Sequence, residues 1–339
     1  MFRRPKGIRE SSREGSQEKE QPGKELARAE KELEEARKAL AEADDLITQQ
    51  RLRITQLLEG VEVSRGVRAE NIVWIFGAAR TGSTWLSRMM GELPGSEVWN
   101  EPLVGSLFGD FYYDRAGKRI GKRGKHHILG DGYRESWMPS IRSFVLKEAA
   151  ARFPRLGEAG YLVIKEPNGS FGAPLLSEAL PESRLILLVR DPRDAVASGL
   201  DARREGGFQH REEDERTILA SEDPDAFVKE RASQHLRKMT KAQEAHTKHQ
   251  GPKAIVRYED LRADPFKTLV GMYLALGMPR RERKLRGAIE KHDWENVSEK
   301  GSGKMRRKAT PGGWSEDLTP EQARIVERVC AAHLKEFYP

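Results

Sequence analysis

The sequence predicts an α/β protein: a three-layer domain in which a parallel sheet is flanked by helices, behind an N-terminal coiled-coil helix. Three observations carry this. The unbroken apolar runs in "NIVWIF" (71–76), "YLVI" (161–164) and "LILLV" (185–189) have the length and continuity of strands buried on both faces. Behind the first of them, "TWLSRMMGEL" switches to a helical period. Upstream, Leu26, Leu33, Leu40, Ile47 and Ile54 recur every seven residues.

Taken in chain order, residues 1–22 are Ser, Glu, Lys, Arg and Gly with almost no apolar content, so a disordered N-terminus is expected there. Residues 23–59 form the heptad segment. Ala29, Ala36, Ala43 and Leu57 fill the positions three beyond the first series, and Gln50 is the polar exception. So regular a stripe predicts a coiled coil and a homo-oligomer; a single amphipathic helix lying on its own domain is the alternative. Residues 60–69, "GVEVSRGVRA", break the pattern and serve as a linker, leaving 70–339 for the main domain.

Composition adds bounds. The chain has 339 residues, 37% hydrophobic content and a formal charge of +7, of which all but one unit falls after residue 68. That excess suits an anionic ligand and equally suits ordinary solvated surface. Cys330 is the only cysteine, which rules out an internal disulfide and a multi-thiolate metal site and fits a reducing compartment. No apolar h-region follows "MFRRPKGIRE" and no run approaches a membrane span, so a soluble, cytoplasmic protein is expected. No nucleic-acid partner is expected.

The most informative stretch is "IFGAARTGSTWL" (75–86). Gly77, four residues, Gly82 and two hydroxylic residues outline a phosphate-binding loop, with Ser83 where the usual pattern has a lysine that reaches a nucleoside triphosphate. Its context is strand, glycine turn, helix N-terminus. Backbone N–H groups from Arg80 to Thr84 are therefore expected to converge on one anion at the positive end of a helix dipole. The next two strands each end in a cation, Lys165 and Arg190. In parallel sheets ligands bind outside the carboxyl ends of the strands, where Arg80, Lys165 and Arg190 all fall.

These segments resemble those of sulfotransferases that use 3′-phosphoadenosine 5′-phosphosulfate (PAPS). "FGAARTGSTWL" is similar to that family's 5′-phosphosulfate loop. "LILLVRDPRDAVAS" is similar to its 3′-phosphate segment, with Arg190 and Ser198 at the family's spacing of eight. "AIVRYEDLRADP" with "LALGMP" resembles the strand and helix that follow, and "RRKATPGGW" resembles a basic loop over the nucleotide. Together they cover 71–339 in order. The resemblance implies a P-loop NTPase-like parallel sheet of about five strands, related to nucleotide kinases.

It also implies roles. Arg80, Thr81, Gly82, Ser83, Thr84 and Trp85 would cradle the 5′-phosphosulfate, and Arg190 and Ser198 would bind the 3′-phosphate. Arg306, Arg307 or Lys308 would close over it. Tyr258 matches a tyrosine near the adenosine, or is plain core. The missing lysine fits, because a transferring sulfuryl group carries less negative charge than a phosphoryl group. No metal requirement is expected, and the product is adenosine 3′,5′-bisphosphate (PAP). The segment that supplies a histidine base in many cytosolic members reads "KEPN" here. The chain resembles more closely the glutamate-base branches, such as tyrosylprotein and carbohydrate sulfotransferases, which implies Glu101 as base and Lys165 as stabiliser of the leaving oxygen, with Arg80 beside them. A structural carboxylate before Pro102 is the other reading of Glu101. His126 and His127 are the next candidates for base, or loop residues.

The acceptor is less sharply specified. Val104 to Pro154 holds Phe108, Phe111, Tyr112, Tyr113, Tyr133 and Trp137 beside Arg115, Lys118, Arg119, Lys122, Arg123 and Lys125, which suits a hydroxyl on an anionic glycan or glycolipid and also suits a charged loop over packed aromatics. A small-molecule P-loop kinase, and a coiled-coil scaffold with a degenerate domain, are the alternatives of other classes.

Overall fold

The computed structural model describes residues 28–44, 46, 47, 50, 67–115, 126–157, 159–293, 296 and 310–338. The chain divides into two compact units, 1–64 and 65–339. In the first, 28–44 is a continuous helix. Its heptad residues Leu33 and Leu40 are 53% and 67% exposed in the isolated chain, as is the neighbouring Ile47 at 49%. The predicted heptad residues Leu26, Ile54 and Leu57, and the disordered stretch expected at 1–22, lie outside the described residues.

The second unit is the predicted α/β domain. Its elements are β1 (Ile72–Gly77), α1 (Ser83–Gly91), β2 (Ser96–Asn100), α2 (Val104–Gly109), α3 (Arg134–Arg152), β3 (Tyr161–Lys165), α4 (Ala173–Ala179), β4 (Arg184–Val189), α5 (Pro192–Asp201), α6 (Glu215–Glu222), α7 (Pro224–Lys248), β5 (Lys253–Arg257), α8 (Tyr258–Ala263), α9 (Pro265–Ala275), α10 (Glu282–Lys291), α11 (Trp314–Asp317), α12 (Pro320–Val329) and α13 (Ala331–Phe337). The five strands run in the order β2-β3-β1-β4-β5. Every pairing is parallel. The chain enters this unit earlier than the linker boundary suggests, because Val67 and Ala69 are already buried in the core.

Strand alternation sorts the apolar runs onto two faces. Ile72, Trp74, Phe76, Leu162, Ile164, Leu185 and Leu187 join α3, α4 and α7 in one core, through residues such as Ile141, Leu176 and Met239. Val73, Ile75, Val163, Ile186 and Leu188 join α1, α9 and α10 in the other, through Leu86, Met272 and Leu285. Both faces of β1 are therefore covered, and all six of its residues are buried. A third cluster ties α5, α6, α7 and α12 together, with the unpaired thiol of Cys330 fully buried and 3.6 Å from the Ala232 carbonyl.

Helix boundaries follow local chemistry. Asp191 caps α5 by accepting from the Arg193 N–H, with Pro192 in the first turn. Thr319 and Gln322 form a reciprocal capping box on α12. The short helix α2 touches the chain after β3 almost backbone to backbone. A Cβ built on Gly105 would stand 2.0 Å from the Gly169 carbonyl oxygen, and one on Gly109 2.4 Å from the Gly172 Cα. Neither neighbour is a flexible side-chain tip, so Gly105→Ala is expected to destabilise the domain by about 1–3 kcal/mol, the usual cost of overpacking. A lowered thermal midpoint against wild type is the check, and an unchanged midpoint contradicts this close approach.

Candidate active site

The carboxyl ends of the strands open onto a cavity of about 1090 Å³, lined among others by Arg80, Gly82, Ser83, Thr84, Trp85, Glu101, Lys165, Arg190, Ser198 and Tyr258. Topology explains the convergence: β1 is central, with β3 on one side and β4 on the other, so the residues after these strands face one crevice. Between β1 and α1 the chain turns through two left-handed residues, Arg80 at φ 70° and Gly82 at φ 90°. Glycine is required at the second, because a Cβ there would lie 2.5 Å from the Tyr258 ring. The turn brings Ser83 and Thr84, the first two residues of α1, to the cavity wall, where a helix N-terminus favours an anion. Thr81 is the exception among the predicted loop residues. It is fully buried, its hydroxyl donates to the Ala78 carbonyl at 2.8 Å, and it braces the loop from behind.

Arg80 and Arg190 are fixed against each other. Arg80 donates from Nε to Ser198 Oγ at 3.0 Å, and its carbonyl accepts from Arg190 Nη1 at 3.0 Å. Burial, then the neighbouring Arg190 and Arg231 cations, push the Arg80 guanidinium down to about 10. Arg190 stacks over the Tyr258 ring at 4.2 Å, and its Nε is buried without a hydrogen-bond partner among the described residues. Trp85 meets Tyr258 edge-on at 6.3 Å and donates from its indole nitrogen to the His292 carbonyl at 2.9 Å. The result is a wall with two arginines and two aromatic rings on the cavity.

The third group joins β2 and β3. Lys165 is buried and donates to Glu101 Oε1 at 2.6 Å and to Thr84 Oγ1 at 3.3 Å. The other Glu101 oxygen accepts from Asn168 Nδ2 at 2.7 Å, and the Glu101 side chain is about one-third exposed and lines the cavity. Glu101 and Leu103 both hold left-handed backbone, at φ 50° and 60°. Such strain persists only where the surroundings impose it. Here they are Glu166, fully buried, whose two oxygens accept from the Leu103 N–H at 3.1 Å and the Gly105 N–H at 3.0 Å. Burial pushes the Glu166 carboxyl up to about 7, against the opposing effect of those two bonds. Sequence reasoning did not assign Glu166 or Asn168. The available signal was an acidic residue directly after a strand-end lysine, in "KEPN", at a position where a surface carboxylate would be ordinary.

Other predicted residues fall differently. Arg306, Arg307 and Lys308 lie outside the described residues. The chain beyond them is held by Asp194 on α5, whose carboxylate accepts from the Gly312 and Trp314 N–H groups, both at 2.9 Å. His127 is buried with Nδ1 accepting from the Leu129 N–H, and neither it nor His126 lines the cavity. Of the expected acceptor segment, Phe108 and Tyr113 pack against the core and 116–125 lies outside the described residues. Among the described residues no group of three or more His, Cys, Asp or Glu is arranged to hold a metal, and no helix is long and apolar enough to cross a membrane.

No curated protein matches the sequence. Among solved structures, the mouse sulfotransferase SULT7A1 complexed with PAP aligns with a TM-score of 0.52 at 16% identity, over 83% of this chain and 89% of that one. The sulfotransferase STF9 from Mycobacterium avium aligns with a TM-score of 0.49 at 15% identity, over 80% of this chain and 78% of that one. The first of these supports the fold. A family model described as "Sulfotransferase family" matches residues 73–282, more than half of the chain and the part that carries Arg80, Glu101, Lys165, Arg190, Ser198 and Tyr258, so the chain belongs to the sulfotransferase family.

Proposed function

We propose that the protein moves a sulfuryl group from PAPS to a hydroxyl of a carbohydrate or glycolipid, with Glu101 as the base and PAP as the product. The observation that carries this reading is the contact of Lys165 with both Thr84, on the anion loop, and Glu101, which opens to the rest of the cavity. One ammonium thus lies between the loop that would hold the leaving oxygen and the carboxylate that would face the attacking hydroxyl, the two ends of an in-line transfer through sulfur. The donor fits the residues present: the buried, unpartnered Nε of Arg190 suits an anion, and Ser198 stands beside it through Arg80. PAPS supplies the activated sulfuryl group.

The chain's own part is binding, orientation and proton handling. Arg190 and Ser198 hold the 3′-phosphate; Arg80, Gly82, Ser83, Thr84 and Trp85 cradle the 5′-phosphosulfate; Tyr258 lies near the adenosine. Glu101 accepts the proton of the attacking hydroxyl through the oxygen edge left open to the cavity, while Asn168 fixes its orientation. Lys165 neutralises charge as it develops on the leaving oxygen. The composition of 104–154, aromatic residues beside cations, is the sequence basis for choosing a sugar-bearing acceptor over other hydroxyls; of its described residues Ser106 and Asp110 line the cavity, while the aromatic ones do not.

Calorimetry separates this from a kinase. PAP is expected to bind in the micromolar range and ATP with magnesium to bind far more weakly. Arg190→Ala should weaken PAP by about 10- to 100-fold, the worth of a charge-assisted contact to phosphate, while barely affecting adenosine 5′-phosphate. Equal weakening of both nucleotides contradicts the assignment.

Glu101→Gln keeps size and hydrogen bonding and removes basicity. PAP affinity should persist while turnover falls by about 10²- to 10⁴-fold, the usual contribution of a general base. Near-normal turnover in this variant would move the base to another group.

Glu166 gives a pH dependence with two opposite signs. Its carboxylate must be ionised to hold both turn N–H groups, so activity should fall as pH drops through about 7. Stability runs the other way. The native state holds this proton more tightly than the unfolded chain does, so the group's contribution is fully present below its ordinary value and is lost as pH rises through about 7, by about 3 kcal/mol at most. Denaturant midpoints at pH 5 and pH 8 should differ in wild type by more than in Glu166→Gln. The same difference in both chains would mean that Glu166 is not the group responsible.

A further inference from the structure

Helix α7 contributes one face to the cavity through Arg231, Gln234 and Lys238, spaced so that all three lie on the same side. Lys238 stands at the end nearest the reaction centre. Its ammonium donates to Asn168 Oδ1 at 3.4 Å, and the same Asn168 carboxamide donates from Nδ2 to Glu101 at 2.7 Å. A single amide therefore separates Lys238 from the carboxylate that faces the attacking hydroxyl. Arg237, the next residue back, lies over the Phe171 ring at 4.8 Å and also lines the cavity.

The charge on Lys238 is poorly compensated. Among the described residues it forms no ion pair within 4.0 Å, unlike the cavity arginine Arg203, which pairs with Asp214 at 2.9 Å. Burial pushes its ammonium down to about 8, the Arg231 and Arg216 cations act in the same direction, and Asp110 and Glu101 only partly oppose them. A desolvated ammonium held near like charges is costly unless a counter-ion arrives. In the reading given above, the donor's phosphates are met by the loop and by Arg190 and Ser198, none of which is within hydrogen-bond distance of Lys238 among the described contacts. The counter-charge at Lys238 has to come with the second substrate.

We propose that Lys238 binds an anionic substituent, a sulfate or a carboxylate, carried by the acceptor on the same sugar ring as the hydroxyl that Glu101 deprotonates. This rests on the sulfuryl-transfer reading and narrows its acceptor to hydroxyls with a neighbouring negative group. Lys238 then acts as a specificity residue: it selects the acceptor and sets which hydroxyl of the ring faces Glu101, and it takes no part in bond making.

The test uses the full chain loaded with PAP and calorimetric titration of matched sugars, N-acetylglucosamine against its 6-sulfate and galactose against galacturonate. The charged member of at least one pair is expected to bind about tenfold or more tightly than the neutral one, and which pair responds tells sulfate from carboxylate. Lys238→Met should abolish the preference with PAP affinity kept within about twofold, and Lys238→Arg should retain it. That rescue separates ligand contact from a packing role. Indifference of the wild-type protein to charge, absence of binding by all four sugars, or a preference that survives Lys238→Met overturns the proposal. PAP affinity, measured first, reports on the donor reading by itself: its absence overturns that reading and the subsite with it.

Discussion

Lys165, the last residue of β3, and Glu166, the next residue, reach different parts of the loop after β2, and the site depends on that alternation. Lys165 faces the cavity, where it meets Thr84 and Glu101. Glu166 takes the Leu103 and Gly105 N–H groups. Pleating sends adjacent side chains to opposite faces, so one strand end grips the charged group of the next loop with one residue and the backbone of that loop with the other. The left-handed Glu101 is thereby held by its side chain, and the loop directly after it by Glu166, while its own N–H donates to the Lys165 carbonyl at 2.9 Å. Gly105 and Gly109 let α2 come close enough for this double grip.

The electrostatics follow from placing cations where water is scarce. Arg80, Arg190 and Arg231 repel one another inside a cavity that their burial has partly desolvated, and the guanidinium of Arg231 is pushed down to about 10 by burial first and by Arg216 and Arg203 next. Such a concentration of like charge lowers the stability of the empty protein and raises its affinity for polyanions. A lysine at position 83 would add charge at the helix N-terminus. Here Lys165 enters the same region from β3, so the loop has one cation from the side in place of one from the loop itself.

The legible part of the fold was the part with continuous apolar strands. β1, β3 and β4 are buried on both faces, so their sequences are unbroken apolar runs with loop chemistry directly behind them. β2, "SEVWN", is an edge strand with alternating partial exposure, and its polar residues hide it. In the site, Arg80, Gly82, Ser83, Thr84, Trp85, Glu101, Lys165, Arg190, Ser198 and Tyr258 were readable because each sits at a strand end or in a patterned loop, and all line one cavity. Thr81 belongs to the same pattern and turns inward, a distinction that depends on one rotamer. Glu166, Asn168, Asp194 and Lys238 act through partners between 61 and 120 residues away for the first three of them and 70 for the last, separations at which local pattern carries no information.

The buried thiol of Cys330 has a practical side. It is fully enclosed between α12 and α7, and desolvation pushes it up to about 12, so almost none of it is thiolate at neutral pH. An alkylating reagent therefore reaches this sulfur only when the α5–α7–α12 cluster opens. As the chain's single cysteine, it makes the protein its own labelling reporter: the rate of modification counts openings of the layer that carries Ser198 on α5 and Lys238 on α7, with no engineered probe and no background from other thiols.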